Sequence, residues 1–333
     1  MKEADIRPLD LFNKFIELSI SDIESFFSDK TAFVEVSCPA CDSNDSEEGL
    51  IKYGFRYLIC TNCDSLYCSP RPNILQLESF YQTSKSVEFW ASHFYHKTVK
   101  ARRKLMFQPR AQLALKISEQ NHDNSSNLVL VDVGSGYGML LDEAQATGRF
   151  TRVIGIEPNK DFASMCIRRG FEIINKSAED LQPNDVNAHV ATCFEVLEHV
   201  YNPCKFLASI RNGLGIGGRL LLTTLTVTGF DIQILWENSK SLTPPHHLNI
   251  MSVDGIRRLM QRGGYRVLKI ETPGKLDLDI VLNAYQQNEG IERSRFVNIL
   301  MSKDNGQTNE DFQRFLQKHL LSSHVRVVAE RVD

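Results

Sequence analysis

Short apolar runs alternate with stretches of helical periodicity from Leu128 onward, and this alternation constrains the fold more than any other feature of the sequence. Near-continuous apolar strands separated by helices are typical of a parallel sheet that helices cover on both faces. A last strand follows a helical insertion, and we expect it to return antiparallel beside the strand before it. The predicted strands are 128–133, 152–157, 171–174, 188–193, 218–225, 265–271 and 324–332, and the insertion is 276–321.

Two pairs of cysteines lie in the N-terminal part of the chain, ahead of this α/β pattern. Cys38 and Cys41 form the first pair, and Cys60 and Cys63 form the second. Two such C-x₂-C knuckles can place four thiolates around one tetrahedral Zn²⁺. Because four protein sulfurs leave no coordination position for water, we expect this zinc to be structural.

The segments outside the predicted sheet differ in pattern from one another. The ribbon contains β-like runs at 32–36 and 57–59. Helical periodicity returns over 74–120, and Pro109 is expected to mark a break between two helices there. A polar stretch at 121–127 is predicted to be a loop. The predicted segments are a helical extension (1–30), a zinc ribbon (31–73), a helical linker or cap (74–125) and the α/β domain (126–333).

A glycine-rich turn, Asp132-Val133-Gly134-Ser135-Gly136-Tyr137-Gly138, directly follows the first predicted strand. Glycines let the backbone approach a bound nucleoside, and the next helix begins with N–H groups suited to a carboxylate. The spacing differs from the G-x-G-x-x-G of dinucleotide sites, because position 139 is Met. Glu157 ends the next strand, where a carboxylate can accept both ribose hydroxyls. The pattern therefore favours S-adenosylmethionine (SAM) as the cofactor.

Over roughly residues 126–333 the chain resembles the class I SAM-dependent methyltransferases. Within them it is similar to the branch of ubiquinone-biosynthesis O-methyltransferases and of bacterial enzymes that modify sugars and surface polysaccharides. The resemblance implies a Rossmann-like seven-stranded methyltransferase sheet, here with an N-terminal zinc ribbon and helical additions. The motifs that carry it are VDVGSGYG (131–138), GIEPN (155–159), SAEDL (177–181), TCFEVLEHV (192–200) and GGRLLLTT (217–224).

The same resemblance implies roles for individual residues of the cofactor site. Glu157 would hold the ribose, and Ala178 and Glu179 would lie against the adenine. Ser177 stands where such enzymes often have Asp, so the resemblance does not imply the usual hydrogen bond from the adenine amine at this position. The residues that would line the methionine and adenosyl groups are Asp132, Gly134, Gly136 and Gly138.

A carboxylate and histidine cluster follows the strand at 188–193. On a helical turn Glu195, Glu198 and His199 would face one way, and His246 and His247 are expected at the same edge of the sheet. Three interpretations stay open. The cluster shapes the SAM pocket only, or one of the histidines is the general base for a hydroxyl proton. Alternatively the carboxylates and histidines hold a divalent cation, as in the small-RNA 3′-end 2′-O-methyltransferases that the motif resembles.

Composition limits the partners. The formal net charge of −3 gives no overall basic field for nucleic acid or an anionic membrane, and acidic residues outnumber basic ones in the ribbon. The cationic run at 97–110 is typical of a solvated helix face. No apolar stretch is long enough for a bilayer, and the N-terminus does not resemble a signal peptide. We therefore expect a cytoplasmic protein with reduced cysteines and no membrane partner.

The expected reaction is methyl transfer from SAM to a hydroxyl of a small molecule or a carbohydrate. One alternative is an RNA methyltransferase in which the ribbon and the cations of 97–110 hold the strand, although the charge balance makes nucleic acid the less expected partner. A sugar C-methyltransferase is the second alternative. A non-catalytic protein that binds SAM or a protein partner is the third.

Overall fold

The computed structural model describes residues 2–120, 127–183, 185–288, 290–302 and 306–332. Its helices are α1 Glu3–Ile6, α2 Leu9–Phe26, α3 Ile74–Thr83, α4 Lys85–Phe89, α5 Tyr95–Arg102, α6 Gln108–Glu119, α7 Met139–Ala146, α8 Lys160–Arg168, α9 Pro203–Gly213, α10 Phe230–Leu235, α11 Val253–Arg262, α12 Asp277–Gln287, α13 Arg295–Ser302 and α14 Gly306–Lys318. Its strands are β1 Ser46–Lys52, β2 Phe55–Cys60, β3 Leu66–Cys68, β4 Leu128–Val133, β5 Phe150–Ile156, β6 Glu172–Ile174, β7 Ala188–Phe194, β8 Leu214–Leu225, β9 Asn249–Ile250, β10 Tyr265–Glu271 and β11 His324–Arg331. None of the helices within these ranges has the length and apolar character that a bilayer-spanning segment needs.

The chain divides into two compact units, each assembled from segments that are distant in sequence. The first unit consists of Met1–Thr98, Leu225–Gly255 and Glu271–Arg326. The second unit consists of Val99–Thr224, Ile256–Ile270 and Val327–Asp333.

A seven-stranded sheet with the order β10-β11-β8-β7-β4-β5-β6 confirms the predicted α/β fold class. The strand pairs from β8 to β6 are parallel, and β11 lies beside β10 as expected. The chain runs outward from β4 to β5 and β6, and then crosses to β7 on the other side of β4. Because the strand order reverses at β4, a ligand crevice is expected outside the carboxyl ends of β4 and β7.

Helices α6 and α7 cover part of this sheet because both present small or aliphatic residues to it. Ala114 and Ile117 of α6 pack in one buried cluster with Leu130, Val190 and Leu221 of the central strands. This packing fixes the ends of β4, β7 and β8, where the polar residues of the candidate site begin.

The first unit contains a four-stranded sheet with the order β1-β2-β3-β9, whose neighbouring strands pair antiparallel. The predicted run 57–59 lies inside β2. The predicted run 32–36 is not a strand, because only Val34 forms an isolated bridge with Arg71. β9 belongs to the predicted α/β domain in sequence, yet it pairs with the ribbon strand β3. Only the tertiary structure shows this pairing.

The helical segments around the ribbon follow the predicted periodicity with one correction. Phe12 and Phe15 of α2 are buried together with Leu11, and Phe89 packs against them. Pro109 does not break the helical path, because the π-helical turn Arg103–Phe107 runs directly into α6 and the change to α-helical hydrogen bonding falls at Pro109. The polar loop predicted at 121–127 lies outside the described residues except for residue 127.

A buried pair of carboxyl groups, Asp231 and Asp277, joins α10 to the start of α12 in the first unit. Asp277 accepts hydrogen bonds of 2.6 Å from Ser322 Oγ and Gln313 Nε2, and one of 2.7 Å from the Ser323 amide. Burial raises the pKa of Asp231, and the negative charge of Asp277 raises it further. The pair therefore retains a proton at a pH where an exposed aspartate has none.

This retained proton predicts that the protein loses stability as pH rises. The folded protein keeps it above the ordinary Asp pKa of 3.8, where the unfolded chain has released it, so the free energy of unfolding falls from that pH until the raised pKa is passed. The slope is at most about 1.4 kcal/mol per pH unit. Urea unfolding of Asp231→Asn between pH 5 and pH 8 should show a flatter dependence than wild type. The exposed Asp10→Asn serves as control, and an unchanged slope in Asp231→Asn would contradict the assignment.

Candidate functional site

The glycine turn joins β4 to α7 and takes a backbone conformation that glycine favours. Gly134, Gly136 and Gly138 have φ angles of 73°, 51° and 74°. A Cβ on Gly134 would lie 2.7 Å from Val196 Cγ2, so this position has no room for a side chain. Gly138 immediately precedes α7, and the first amides of that helix therefore border the turn.

The Glu157 side chain lies against this turn. It is buried, and its Oε2 accepts a 2.7 Å hydrogen bond from the Gly136 amide while Oε1 accepts one of 2.9 Å from the Asn159 amide. Burial raises the pKa of Glu157, and the two backbone hydrogen bonds oppose that rise. Asn175 Nδ2 donates to the Glu157 carbonyl at 2.7 Å and holds the strand end in place. The turn and the carboxylate, which the sequence places 19 residues apart, are in direct contact.

Asp132 lies at the carboxyl end of β4, next to β7. Its Oδ1 accepts a 2.7 Å hydrogen bond from Thr192 Oγ1. Burial raises the pKa of Asp132 to about 7, although the Thr192 hydrogen bond lowers it. The carboxyl group is therefore poised between its neutral and charged forms near neutral pH.

Arg110 of α6 reaches the same edge of the sheet, and for this residue the prediction of a solvated face is wrong. Its guanidinium donates a 2.7 Å hydrogen bond to Glu195 Oε1 and lies 3.4 Å from Thr223 Oγ1. The guanidinium carbon is 4.5 Å from the centre of the Phe194 ring. Arg110 is 9% exposed, so it is a buried counter-ion and not part of a surface patch.

Glu198 and His199 lie in a tight turn that the His199 amide closes on the Val196 carbonyl, and Glu195 directly precedes it; this is not the helical turn that we expected. Glu195 has a φ of 56°, and its Oε1 accepts a 2.7 Å hydrogen bond from Thr223 Oγ1. The Glu195 carboxylate therefore contacts the end of β8.

Glu198 is buried beneath the turn. Its Oε2 accepts a 2.7 Å hydrogen bond from Thr224 Oγ1. Burial raises the pKa of Glu198, and the negative charge of Glu195 raises it further. A carboxyl group in this state can take up a proton near neutral pH, which suits acid–base chemistry.

Ala178 and Glu179 lie in a short 3₁₀ turn after β6, and Ala178 is buried. The Ser177 hydroxyl donates to the Glu179 carboxylate, and the Glu179 carbonyl accepts a 3.2 Å hydrogen bond from Ser209 Oγ. Ser177 therefore shapes this turn.

His246 and His247 lie in the first unit and have different surroundings. His246 is 6% exposed, and its ring centre lies 5.2 Å from that of Phe15 and 5.0 Å from that of Phe80. His246 Nε2 is 3.4 Å from Ser86 Oγ. His247 is half-buried, and its Nδ1 lies 2.6 Å from the Ser241 carbonyl oxygen. Since a carbonyl only accepts, Nδ1 carries the hydrogen, and the lone pair of the neutral ring is on Nε2.

The four cysteines of the ribbon come together as predicted. One sulfur from each of Cys38, Cys41, Cys60 and Cys63 lies within 4.8 Å of the others. The Cys38 and Cys63 sulfurs are 3.6 Å apart, and those of Cys41 and Cys60 are 3.5 Å apart. Four sulfur donors in this arrangement fit a tetrahedral zinc ion.

The two knuckles have the same backbone geometry. Asp42 and Asp64 each follow the second cysteine of their pair with positive φ, and their amides donate 2.8 Å hydrogen bonds to the carbonyls of Cys38 and Cys60. Cys68 is outside the cluster; burial raises the pKa of its thiol to about 12, and its sulfur is 3.5 Å from the Pro70 carbonyl oxygen. The ribbon therefore uses four of the five cysteines between residues 38 and 68.

Several residues of the second unit contribute to the site although no predicted motif marked them. Thr192, Thr223 and Thr224 end two apolar strands, and polar residues at strand ends are a recognisable signal. Arg110 shares the helix face of Ala114 and Ile117, at positions i, i+4 and i+7, so periodicity could have placed it inward. Its partner Glu195 could not have been identified this way.

The chain is similar in sequence to known methyltransferases over about half of its length. Residues 99–270, just over half of the chain, match the family described as methyltransferase domain. The chain is 24% identical over 173 residues to the tRNA U34 carboxymethyltransferase of Campylobacter jejuni, covering 49% of this chain and 56% of that protein. It is 31% identical over 132 residues to the mitochondrial ubiquinone biosynthesis O-methyltransferase of Schizosaccharomyces pombe, covering 37% and 47%. It thus spans about half the length of these two relatives.

Solved structures agree on the fold. The plantazolicin methyltransferase BamL, solved with a triazolic desmethylPZN analog and SAH, superposes with a TM-score of 0.51 at 11% identity, covering 78% of this chain and 95% of BamL. The family match extends from α5 to β10 and includes the glycine turn, Glu157 and the Glu195 turn. The chain therefore belongs to the methyltransferase domain family and has the class I fold of its SAM-dependent members.

Proposed function

We propose that the protein transfers a methyl group from SAM to a hydroxyl oxygen of a small molecule or a carbohydrate. The observation that carries this proposal is the Glu157 carboxylate hydrogen-bonded to the Gly136 amide of the glycine turn. A carboxylate has about four lone-pair positions, and the backbone amides use two of them, so it can also accept ribose hydroxyls. The other residues proposed to line SAM are Asp132, Gly134 and Gly138 at the methionine and adenosyl groups, and Ala178 and Glu179 at the adenine.

The proposed reaction is a displacement at the methyl carbon of the sulfonium. The acceptor oxygen forms a bond to that carbon as the carbon–sulfur bond breaks, and the electron pair remains on sulfur as a neutral thioether. Alignment of the two reactants provides much of the acceleration. The acceptor hydroxyl must also lose its proton, so the protein needs a base.

We propose His247 as that base, with His199 as the second candidate. The hydrogen bond from His247 Nδ1 to the Ser241 carbonyl orients the ring and leaves Nε2 basic. His246 is the weaker candidate because Phe15 and Phe80 enclose its ring.

The histidine assignment predicts that His247→Ala lowers the methyl-transfer rate by roughly 10²–10⁴-fold and leaves SAM affinity unchanged, because only proton transfer is lost. The rate is measured with methyl-labelled SAM, and the affinity by calorimetry. His319→Ala, at an exposed histidine in the turn that directly follows α14, is the control. Full activity in His247→Ala with loss in His199→Ala would move the role to His199.

A divalent cation held by Glu195, Glu198 and His199 is the alternative route to an activated hydroxyl. A chelator removes ribbon zinc as well, so chelated protein is first restored with one equivalent of Zn²⁺ and then assayed with and without Mg²⁺ or Mn²⁺. Activity that returns with Zn²⁺ alone supports the histidine base. Activity that needs the second ion supports the cation.

The ribbon is proposed to hold one structural Zn²⁺ through Cys38, Cys41, Cys60 and Cys63. The supporting observations are four sulfur donors within 4.8 Å and the matched backbone of the two knuckles. Zinc held by four thiolates stabilises the surrounding fold and takes no part in the transfer.

The acceptor class is tested with tritium-labelled SAM, offered separately with a nucleotide-sugar pool and with total RNA. Label in the sugar pool that is released by ether cleavage supports O-methylation, whereas label that resists ether cleavage indicates C-methylation. Label in RNA would overturn the proposed acceptor class and favour an RNA enzyme, as the C. jejuni relative is named. No label in either pool, with SAM bound, would favour a non-catalytic protein.

A further inference from the structure

The loop between α10 and α11, residues 236–252 and called here the histidine loop, is held along its length by the ribbon. At its start, Lys52 Nζ of β1 donates to the Glu237 carbonyl and lies 3.3 Å from the Ser239 carbonyl oxygen. Near its end, the Cys68 amide donates a 2.9 Å hydrogen bond to the Leu248 carbonyl. The loop therefore runs along the ribbon sheet, because ribbon residues donate hydrogen bonds to backbone carbonyls at both of its ends.

The centre of the loop is fixed at His247 itself. The hydroxyl of Tyr57, a buried residue of β2, donates a 2.6 Å hydrogen bond to the His247 carbonyl oxygen. The Nδ1–H of the His247 ring donates a hydrogen bond to the Ser241 carbonyl oxygen of the same loop. Tyr57 therefore fixes the backbone of His247, and the loop fixes its ring.

The C-terminal end of the loop reaches the cysteine cluster. Ser252 Oγ donates to the Cys63 carbonyl, and the Ser252 amide donates a 3.1 Å hydrogen bond to Ser65 Oγ. Ser65 Oγ in turn lies 3.3 Å from Cys63 Sγ. A Cβ added to Gly255 would lie 2.1 Å from Ser65 Oγ, which shows how closely the backbone after the loop approaches the second knuckle.

These contacts connect the ribbon to the histidine loop at its start, centre and end. We propose that the ribbon positions the His247 ring, and that Tyr57 and Ser252 are positioning residues that link the cysteine cluster to the histidine loop. Closing the cluster on zinc would fix the second knuckle and β3, and these hold Ser252 and the loop strand β9. The importance of this link for catalysis rests on the proposed function of His247. The structural link between the ribbon and the loop does not depend on that function.

The test uses full-length, zinc-loaded protein and the variants Tyr57→Phe and Ser252→Ala. Each removes one hydroxyl and keeps most of the packing. Tyr285→Phe is the matched control, because Tyr285 is buried in the same unit and its hydroxyl has no hydrogen-bond partner among the described residues. The measurements are zinc per chain, amide hydrogen exchange over residues 239–252, and the ¹⁵N imidazole spectrum of His247.

In both variants zinc content should stay at wild-type level while amide exchange in the loop accelerates at least roughly tenfold, since Tyr57→Phe loses one buried hydrogen bond and Ser252→Ala loses two. The ¹⁵N spectrum should change from a single Nδ1–H tautomer to a mixture for His247, with the His246 signal unchanged. Tyr285→Phe should match wild type. Unchanged exchange and an unchanged His247 spectrum in both variants would overturn the proposal. If the loop loosens but His247→Ala retains full transfer, the link stands and the proposed catalytic role fails.

Discussion

Glu157→Ala is expected to weaken SAM binding by roughly 100-fold, because hydrogen bonds to a charged group are worth about 1.5–3 kcal/mol. Two effects combine. The variant removes the carboxylate proposed to accept the ribose hydroxyls, and it releases the Gly136 and Asn159 amides that the carboxylate now holds. Calorimetric titration of zinc-loaded protein with SAM, and separately with its demethylated product, gives the affinities.

The matched control is Glu172→Gln on β6, the strand next to β5. Glu172 is exposed and pairs with Arg152, so its loss should leave SAM affinity unchanged. The conservative Glu157→Gln retains the shape and one acceptor oxygen and should lose less than Glu157→Ala. Wild-type SAM affinity in Glu157→Ala would remove the basis of the proposed cofactor site.

Cys63→Ser is expected to have the second large effect, the loss of zinc and of the ribbon sheet. Structural zinc in small modules contributes about 10–16 kcal/mol in apparent binding free energy, so losing one of four ligands costs on the order of 3 kcal/mol, or at least about 100-fold in affinity. The variant should retain less than one zinc per chain after treatment with a competing chelator. Thermal melting should begin at a lower temperature than for wild type.

Cys204→Ser is the control for this experiment, because Cys204 lies in the first turn of α9, outside the cluster. It should keep the zinc content and melting curve of wild type. If Cys63→Ser binds zinc as tightly as wild type, the cluster is not the zinc site. If zinc is lost but melting does not change, the metal has no structural role.

The sequence predicted those parts of the candidate site in which glycines or a carboxylate directly follow an apolar strand. The turn at Gly134–Gly138 and the carboxylate of Glu157 each follow an apolar strand, and the ends of adjacent parallel strands meet at one edge of a sheet. The network around Arg110 could not be predicted, because it joins α6 to the ends of β7 and β8. The charge pattern of 97–110 placed Arg110 in solvent, whereas its aromatic and carboxylate neighbours bury it.

By itself the sequence determined the strand and helix alternation, the glycine turn and the four-cysteine spacing, because each depends on residues close together in the chain or on a period that one element imposes. Only the tertiary structure decided that β9 and Ser252 belong with the ribbon, and that His246 and His247 have different surroundings. These depend on hydrogen bonds and packing between residues far apart in the chain. No local period encodes which buried donor meets which carbonyl, since that choice is made when the elements pack together.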